Sequence, residues 1–252
     1  MTNLASKQEL MIVLASRIFR DGEIAFIGIG APNLAANLAK RTHAPNLVIV
    51  YETGIVGAKP FKMPLSVGDA CITSNSQCLL GAFEIFTWML QAGRVDTGFL
   101  GGAQVDRWGN LNSSVIGKYE NPQIRMPGSG GAADVASMAN RTVIIMPHER
   151  RRFPQNIDFI TSPGYVGGRF GRRKLGLTGG GPEVVITDLG VLGFDVTGEM
   201  ELRELHSGIR LEEVYAQTGW DLKVSQDLGC TKPPTPDELE ILRALQLEQM
   251  SN

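Results

Sequence analysis

A chain of 252 residues has room for one large domain or two small ones. With 43% hydrophobic residues, 20% charged residues and a formal net charge of −2, it lacks the basic excess of a nucleic-acid binder. No apolar run approaches the roughly 18 residues that span a bilayer, and no basic segment leads into an apolar core and cleavage site as in an export signal. The three cysteines, Cys71, Cys78 and Cys230, are too few and too irregularly spaced for a disulfide framework or a zinc site. They read as reduced thiols of a cytoplasmic protein. Glycine, at 30 residues, exceeds its usual share of about 7% and gathers at the ends of apolar runs.

In chain order, Ser6-Lys7-Gln8-Glu9 is a capping box. The helical spacing of Leu10, Met11, Leu14, Ile18 and Phe19 predicts a helix that Gly22 ends. A short strand over 24–27 runs into Gly28-Ile29-Gly30-Ala31-Pro32, and a helix with Pro32 near its first turn reaches Arg41. Leu47-Val48-Ile49-Val50 reads as a strand buried on both faces, stopping at Tyr51-Glu52-Thr53-Gly54. The α-β-α-β order predicts a parallel sheet with right-handed crossovers.

Residues 55–79 are less periodic, with Pro60, Pro64 and Gly68 as breakers. A helix over 83–90 closes at Gly93, and a strand over 96–100 enters the loop 101–112. Gly128 to Asp134 precedes a short helix to Ala139; Thr142 to Met146 is a buried strand, and 156–160 reads as another. Residues 161–182, glycine-rich and basic, read as a long surface loop. Runs over 184–188 and 191–195 flank Leu189-Gly190 as a hairpin. A helix follows over 210–217, and a second capping box, Thr235-Pro236-Asp237-Glu238, opens the last helix. No repeat or linker interrupts the chain, which reads as one domain over 1–252: an open, mostly parallel α/β sheet with helices on both faces and a C-terminal hairpin.

In open α/β sheets the ligand crevice lies at the carboxyl ends of the strands, where Glu52 sits. A carboxylate there is a catalytic group or a cap on the next helix. Gly28-Ile29-Gly30 has the setting of a dinucleotide fingerprint but lacks its third glycine, since Asn33 holds that place. It reads equally as a tight β-α turn or as N–H groups facing an anion or a carbonyl oxygen. The glycines at 128–131 let N–H groups converge on an oxyanion or phosphate, or simply connect two elements. Arg150-Arg151-Arg152 could hold phosphates but reads better as a solvated face or subunit contact, as do Arg169, Arg172, Arg173 and Lys174. His43, His148 and His206 lie in no metal-ligand spacing, and no G-x-S-x-G elbow is present.

Taken in order, the pieces Gly28-Ile29-Gly30-Ala31-Pro32, Glu52-Thr53-Gly54, Gly101-Gly102-Ala103-Gln104-Val105-Asp106 with Gly109-Asn110, and Gly128-Ser129-Gly130-Gly131-Ala132 resemble the B subunits of the class I coenzyme A-transferases. His148-Glu149-Arg150-Arg151-Arg152-Phe153 and Thr161-Ser162-Pro163-Gly164 extend the likeness, which runs from about residue 7 to residue 245. The resemblance implies a NagB/RpiA-like fold and Glu52 as the nucleophile. It also implies Gly130 and Gly131 as oxyanion donors, and Gly28, Gly30, Gly101, Gly102, Gln104 and Ser129 around the coenzyme A thioester. That thioester is a substrate, and neither a permanent cofactor nor a metal is expected.

The activity so implied is ping-pong transfer of CoA from an acyl-CoA to a carboxylic acid, for example a dicarboxylate such as glutaconate, through a glutamyl-CoA thioester. A separate A subunit, in an A2B2 or larger complex, supplies the rest of the cleft. Relatives that lost the glutamate act as hydrolases or decarboxylases, so an acyl-CoA hydrolase or ring-cleaving hydrolase subunit is the alternative. Retention of Glu52 favours transfer.

Overall fold

The structure, a computed structural model, describes residues 5–60 and 62–250. The chain divides into two compact units, one formed by Met1–Phe99 with Pro233–Asn252 and one by Leu100–Lys232.

The first unit opens with α1 (Lys7–Ser16), whose capping box is complete: Glu9 N–H donates to Ser6 Oγ, and Ser6 N–H to the Glu9 carboxylate. The helix stops six residues before Gly22. Ser16 Oγ–H donates to the Val13 carbonyl, and Ile18 and Phe19 continue in tight three-residue turns. That exit turns Phe19 inward to stack on Phe99 at 4.8 Å. Strand β1 (Ile24–Phe26), helix α2 (Ala31–Arg41) and strand β2 (Val48–Val50) then form a parallel crossover, with Phe26 opposite Val50. Two-residue strands β3 (Ile55–Val56) and β4 (Cys78–Leu79) extend the sheet antiparallel. Helix α3 (Ala82–Glu84) widens into a π-helix over Ile85–Gln91, and β5 (Thr97–Leu100) pairs parallel with β1. The order is thus β5-β1-β2-β3-β4.

In the second unit the loop expected over 101–112 closes as a hairpin of β6 (Gln104–Val105) and β7 (Leu111–Asn112). A further hairpin, β8 (Val115–Lys118) and β9 (Asn121–Arg125), follows. Helix α4 (Ala132–Met138) leads to β10 (Arg141–Ile145). The strand expected over 156–160 is absent, because the Asp158 N–H donates to the Gln104 side chain rather than to a ladder. A single turn, α5 (Gly171–Lys174), precedes β11 (Pro182–Ile186), which runs parallel to β10 and antiparallel to β12 (Gly190–Phe194). Strand β13 (Met200–Leu205) pairs antiparallel with β12. After α6 (Leu211–Ala216), β14 (Lys223–Cys230) pairs parallel with β13. Val143, Ile144, Val185, Leu192 and Leu202 are buried within this sheet.

Arg172 departs from the solvated reading given to its neighbours. It is only 4% exposed, and its guanidinium donates to five carbonyls, those of Ala136, Ser137, Pro163, Gly164 and Gly179. The stretch expected to be a long surface loop is therefore pinned from within. Helix α7 (Pro236–Met250) returns to the first unit and packs on α1 and α2. Arg243 binds Glu9, Arg17 binds Glu238, and Arg41 binds Glu248.

Candidate active site

In the first unit the parallel pairing of β1 and β2 sets their carboxyl ends side by side. The Ile27 N–H donates to the Val50 carbonyl at 3.0 Å, so the Gly28–Gly30 turn leaves next to the segment that carries Glu52. Glu52 is the second residue of a tight turn closed by the Gly54 N–H on the Tyr51 carbonyl. Gly54 has φ +106°, and a Cβ there would lie 1.8 Å from the Leu80 carbonyl oxygen, so glycine is obligatory. Thr53 Oγ–H anchors the turn's far side on the Val67 carbonyl. The Glu52 side chain is half-buried and has no hydrogen-bond or ion-pair partner among the described residues.

Beneath it, Tyr51 is fully buried, and its hydroxyl donates to Asn33 Oδ1 at 2.8 Å. Burial pushes the Tyr51 hydroxyl well above its usual range, so it remains a donor. Asn37 donates to the same Asn33 oxygen, and the fully buried Asn33 Nδ2 has no acceptor among the described residues. Asn33, which breaks the dinucleotide pattern, thus ties the helix after the glycine turn to the strand under Glu52. The available signal was a polar residue where a tight β-α turn wants glycine.

In the second unit four of the motif segments come together. The Val105 N–H donates to the Arg152 carbonyl, and Leu111 N–H to the Ser162 carbonyl. The Gly164 N–H donates to Asn110 Oδ1, while Ser113 exchanges two bonds with Gly128. Asp106 organises the hairpin tip by accepting from Trp108 N–H and from the Asn110 backbone and side chain. Burial still pushes the Asp106 carboxyl up from its ordinary value. Gln104, expected near the coenzyme, spends its amide inside the unit: it donates to Asp158 and accepts from Asn112. Gly101 and Gly102 begin this hairpin, and a Cβ on Gly102 would crowd the Asn112 carbonyl at 3.2 Å. Gly130 is exposed, with φ +49°, and Ser129 Oγ–H donates to its carbonyl. The backbone N–H groups of Gly130 and Gly131 have no acceptor among the described residues. No group of three or more His, Cys, Asp or Glu suited to a metal occurs among the described residues.

Each unit thus presents a feature of its own: in the first an unpaired carboxylate on a turn at the strand ends, in the second backbone N–H groups without an acceptor among the described residues. The sequence profile of the coenzyme A transferase family matches residues 8–217. The chain belongs to that family. It is 43% identical over 242 residues to the B subunit of the 3-oxoadipate CoA-transferase of Pseudomonas knackmussii, covering 96% of this chain and 93% of the relative. It is 39% identical over 249 residues to the B subunit of the glutaconate CoA-transferase of Acidaminococcus fermentans, covering 96% and 92%. The crystal structure of glutaconate coenzyme A-transferase from Acidaminococcus fermentans superposes with a TM-score of 0.89 at 35% identity, over 96% of this chain and 94% of that one. The α/β fold and the B-subunit assignment within the CoA-transferases therefore stand. No helix among the described residues is long and apolar enough to cross a membrane.

Proposed function

We propose that this B subunit joins a separate A subunit, as A2B2 or a larger assembly, in the cytoplasm. The complex moves CoA between an acyl-CoA and a carboxylic acid, of the dicarboxylate type named in its relatives, glutaconate and 3-oxoadipate. The observation that carries the reading is Glu52, held at the tip of a glycine-dependent turn with its carboxylate unspent.

A Glu52 oxygen attacks the thioester carbonyl, the C–S bond breaks, and CoA leaves as thiolate from a mixed anhydride. The thiolate then attacks the glutamyl carbonyl, which frees the donor acid and leaves CoA on Glu52. The acceptor carboxylate attacks that thioester and expels the thiolate again. Thiolate attack on the acceptor's acyl carbon then regenerates Glu52. One thioester is exchanged for another, so the sequence needs no ATP. Each attack passes through a tetrahedral oxyanion, for which the Gly130 and Gly131 N–H groups are the donors, worth several kcal/mol. Gly28, Gly30, Gly101, Gly102 and Ser129 let the chain approach the coenzyme closely. Gln104, tied to Asn112 and Asp158, supports that wall rather than reaching out from it.

Incubating the A–B complex with an acyl-CoA and no acceptor, then mapping peptides by mass spectrometry, should find CoA on the Glu52 peptide. Glu52→Gln should lower transfer by about 10³-fold or more without unfolding the complex. An unmodified Glu52 peptide and a fully active Glu52→Gln complex would refute the assignment. Free thiol released without CoA appearing on the acid would point to hydrolysis.

A further inference from the structure

The second unit has a cavity of about 310 Å³ that belongs to none of the motif segments. It opens at the amino-terminal ends of β10 and β11, where Arg141 and Glu183 lie, whereas Gly101 sits near the Ile145 carbonyl at the other end of β10. Four residues of strand, roughly 13 Å, separate the two ends. Tyr165, Arg169, Phe194 and Arg203 line it, with the Tyr165 and Phe194 rings in edge contact at 5.3 Å.

The charges do not balance. Glu183 is the single carboxylate on the wall, and it is paired with Arg141 at 3.2 Å. Arg203 donates to the Phe194 carbonyl and to Glu201, but its pose is built into the fold. A Cβ on Gly193 would stand 2.2 Å from the Arg203 guanidinium, so the glycine is the slot in which that side chain lies. The Arg169 guanidinium lies 6.0 Å from the Tyr165 ring centroid, and neither that guanidinium nor the Tyr165 hydroxyl has a hydrogen-bond partner among the described residues. Behind Gly181, a wall residue, stands the buried Arg172, which carries its charge among five carbonyls and has no carboxylate partner among the described residues. Four guanidiniums thus bear on this space against two carboxylates, Glu183 on Arg141 and Glu201 on Arg203, which leaves Arg169 and Arg172 without a carboxylate partner among the described residues.

We propose that this cavity is a binding site for a phosphate-bearing anion, gripped by Arg169 and Arg203, with Arg141 and the buried Arg172 supplying field from the wall. Its volume, at the lower end of the range for ligand pockets, admits a diphosphate or the phosphorylated end of a nucleotide and not phosphate alone. Guanidiniums take such groups through paired, charge-assisted bonds. The phosphates could come from coenzyme A itself or from an independent phosphate ligand, and the two sources are separable.

The full A–B complex is titrated by calorimetry with inorganic pyrophosphate, 3′,5′-ADP and CoA. Pyrophosphate or 3′,5′-ADP should bind saturably, more weakly as salt rises. Arg169→Ala and Arg203→Ala should each weaken that binding by about tenfold or more. Arg210→Ala, at an exposed arginine paired with Glu213, should leave it unchanged. CoA displacing pyrophosphate would assign the phosphates to the substrate, and its failure to compete would assign them to a separate ligand. Absence of saturable binding by every probe, or binding indifferent to Arg169→Ala and Arg203→Ala, would overturn the proposal. Glu52→Gln should not alter binding, so this outcome is independent of the assignment of the nucleophile.

Discussion

At the scale of single residues, Glu52 depends on the partners of its neighbours. Tyr51 and Asn33 form a buried bond under the turn, and the Tyr51 hydroxyl makes no other hydrogen bond among the described residues. Tyr51→Phe should cost about 1 kcal/mol of stability, measured by denaturant titration, because Asn33 loses one of its two donors. His148 offers a test by pH. It is 3% exposed, stacked on Phe153 at 3.9 Å between two threonine hydroxyls, and burial holds its pKa at about 4 against an ordinary 6.5. The unfolded chain therefore binds the proton that the folded one refuses. Stability should fall as pH drops from 6.5 towards 4, by roughly 3 kcal/mol if this group acts alone. Glu9 is displaced in the same direction for a different reason: its bond to Arg243, rather than burial, is the main cause of a pKa of about 2 against 4.5. Its contribution is whole above pH 4.5 and is lost between there and pH 2. Melting temperature against pH should show the two losses in succession, and His148→Gln should remove only the first.

At the scale of elements, the turn after β2 is the least forgiving. Gly54→Ala should destabilise by at least about 2 kcal/mol, since it meets both a positive φ and the Leu80 carbonyl; chemical denaturation would read this directly. That turn was legible in the sequence because an aliphatic run, an acid and a glycine each have one natural place in a parallel crossover. Both capping boxes were legible for the same local reason: Thr235 and Glu238 exchange bonds as Ser6 and Glu9 do. What the pattern hid is non-local. The hairpin over 104–112 is held by Asp106 within its tip, by Asn112, which bonds Gln104 across the strands and Val115 beyond them, and by Asn110 and Gln104, which reach the distant Gly164 and Asp158. The π-turns after Ile85 and the long β14, with its mixed burial, likewise have no periodic signature. The candidate nucleophile stood out through position alone. Asn33, its buried support, looked merely like a missing glycine.

At the scale of the whole molecule, the prediction is incompleteness. The isolated chain should show no CoA transfer, and activity should rise on titration with the A subunit until the two are equimolar. Transfer at a normal rate by this chain alone would sink the split-subunit reading. Arg172 carries one more consequence. The stretch around it, with Arg169, Arg173 and Lys174 nearby, has the composition of a region that trypsin cuts first. Cleavage after Arg172 requires its side chain to enter the protease, and here that side chain is committed to carbonyls from three separate segments. The bond after Arg172 should stay intact in native digests and open only with global unfolding, making its scission a reporter of the second unit's cooperative stability.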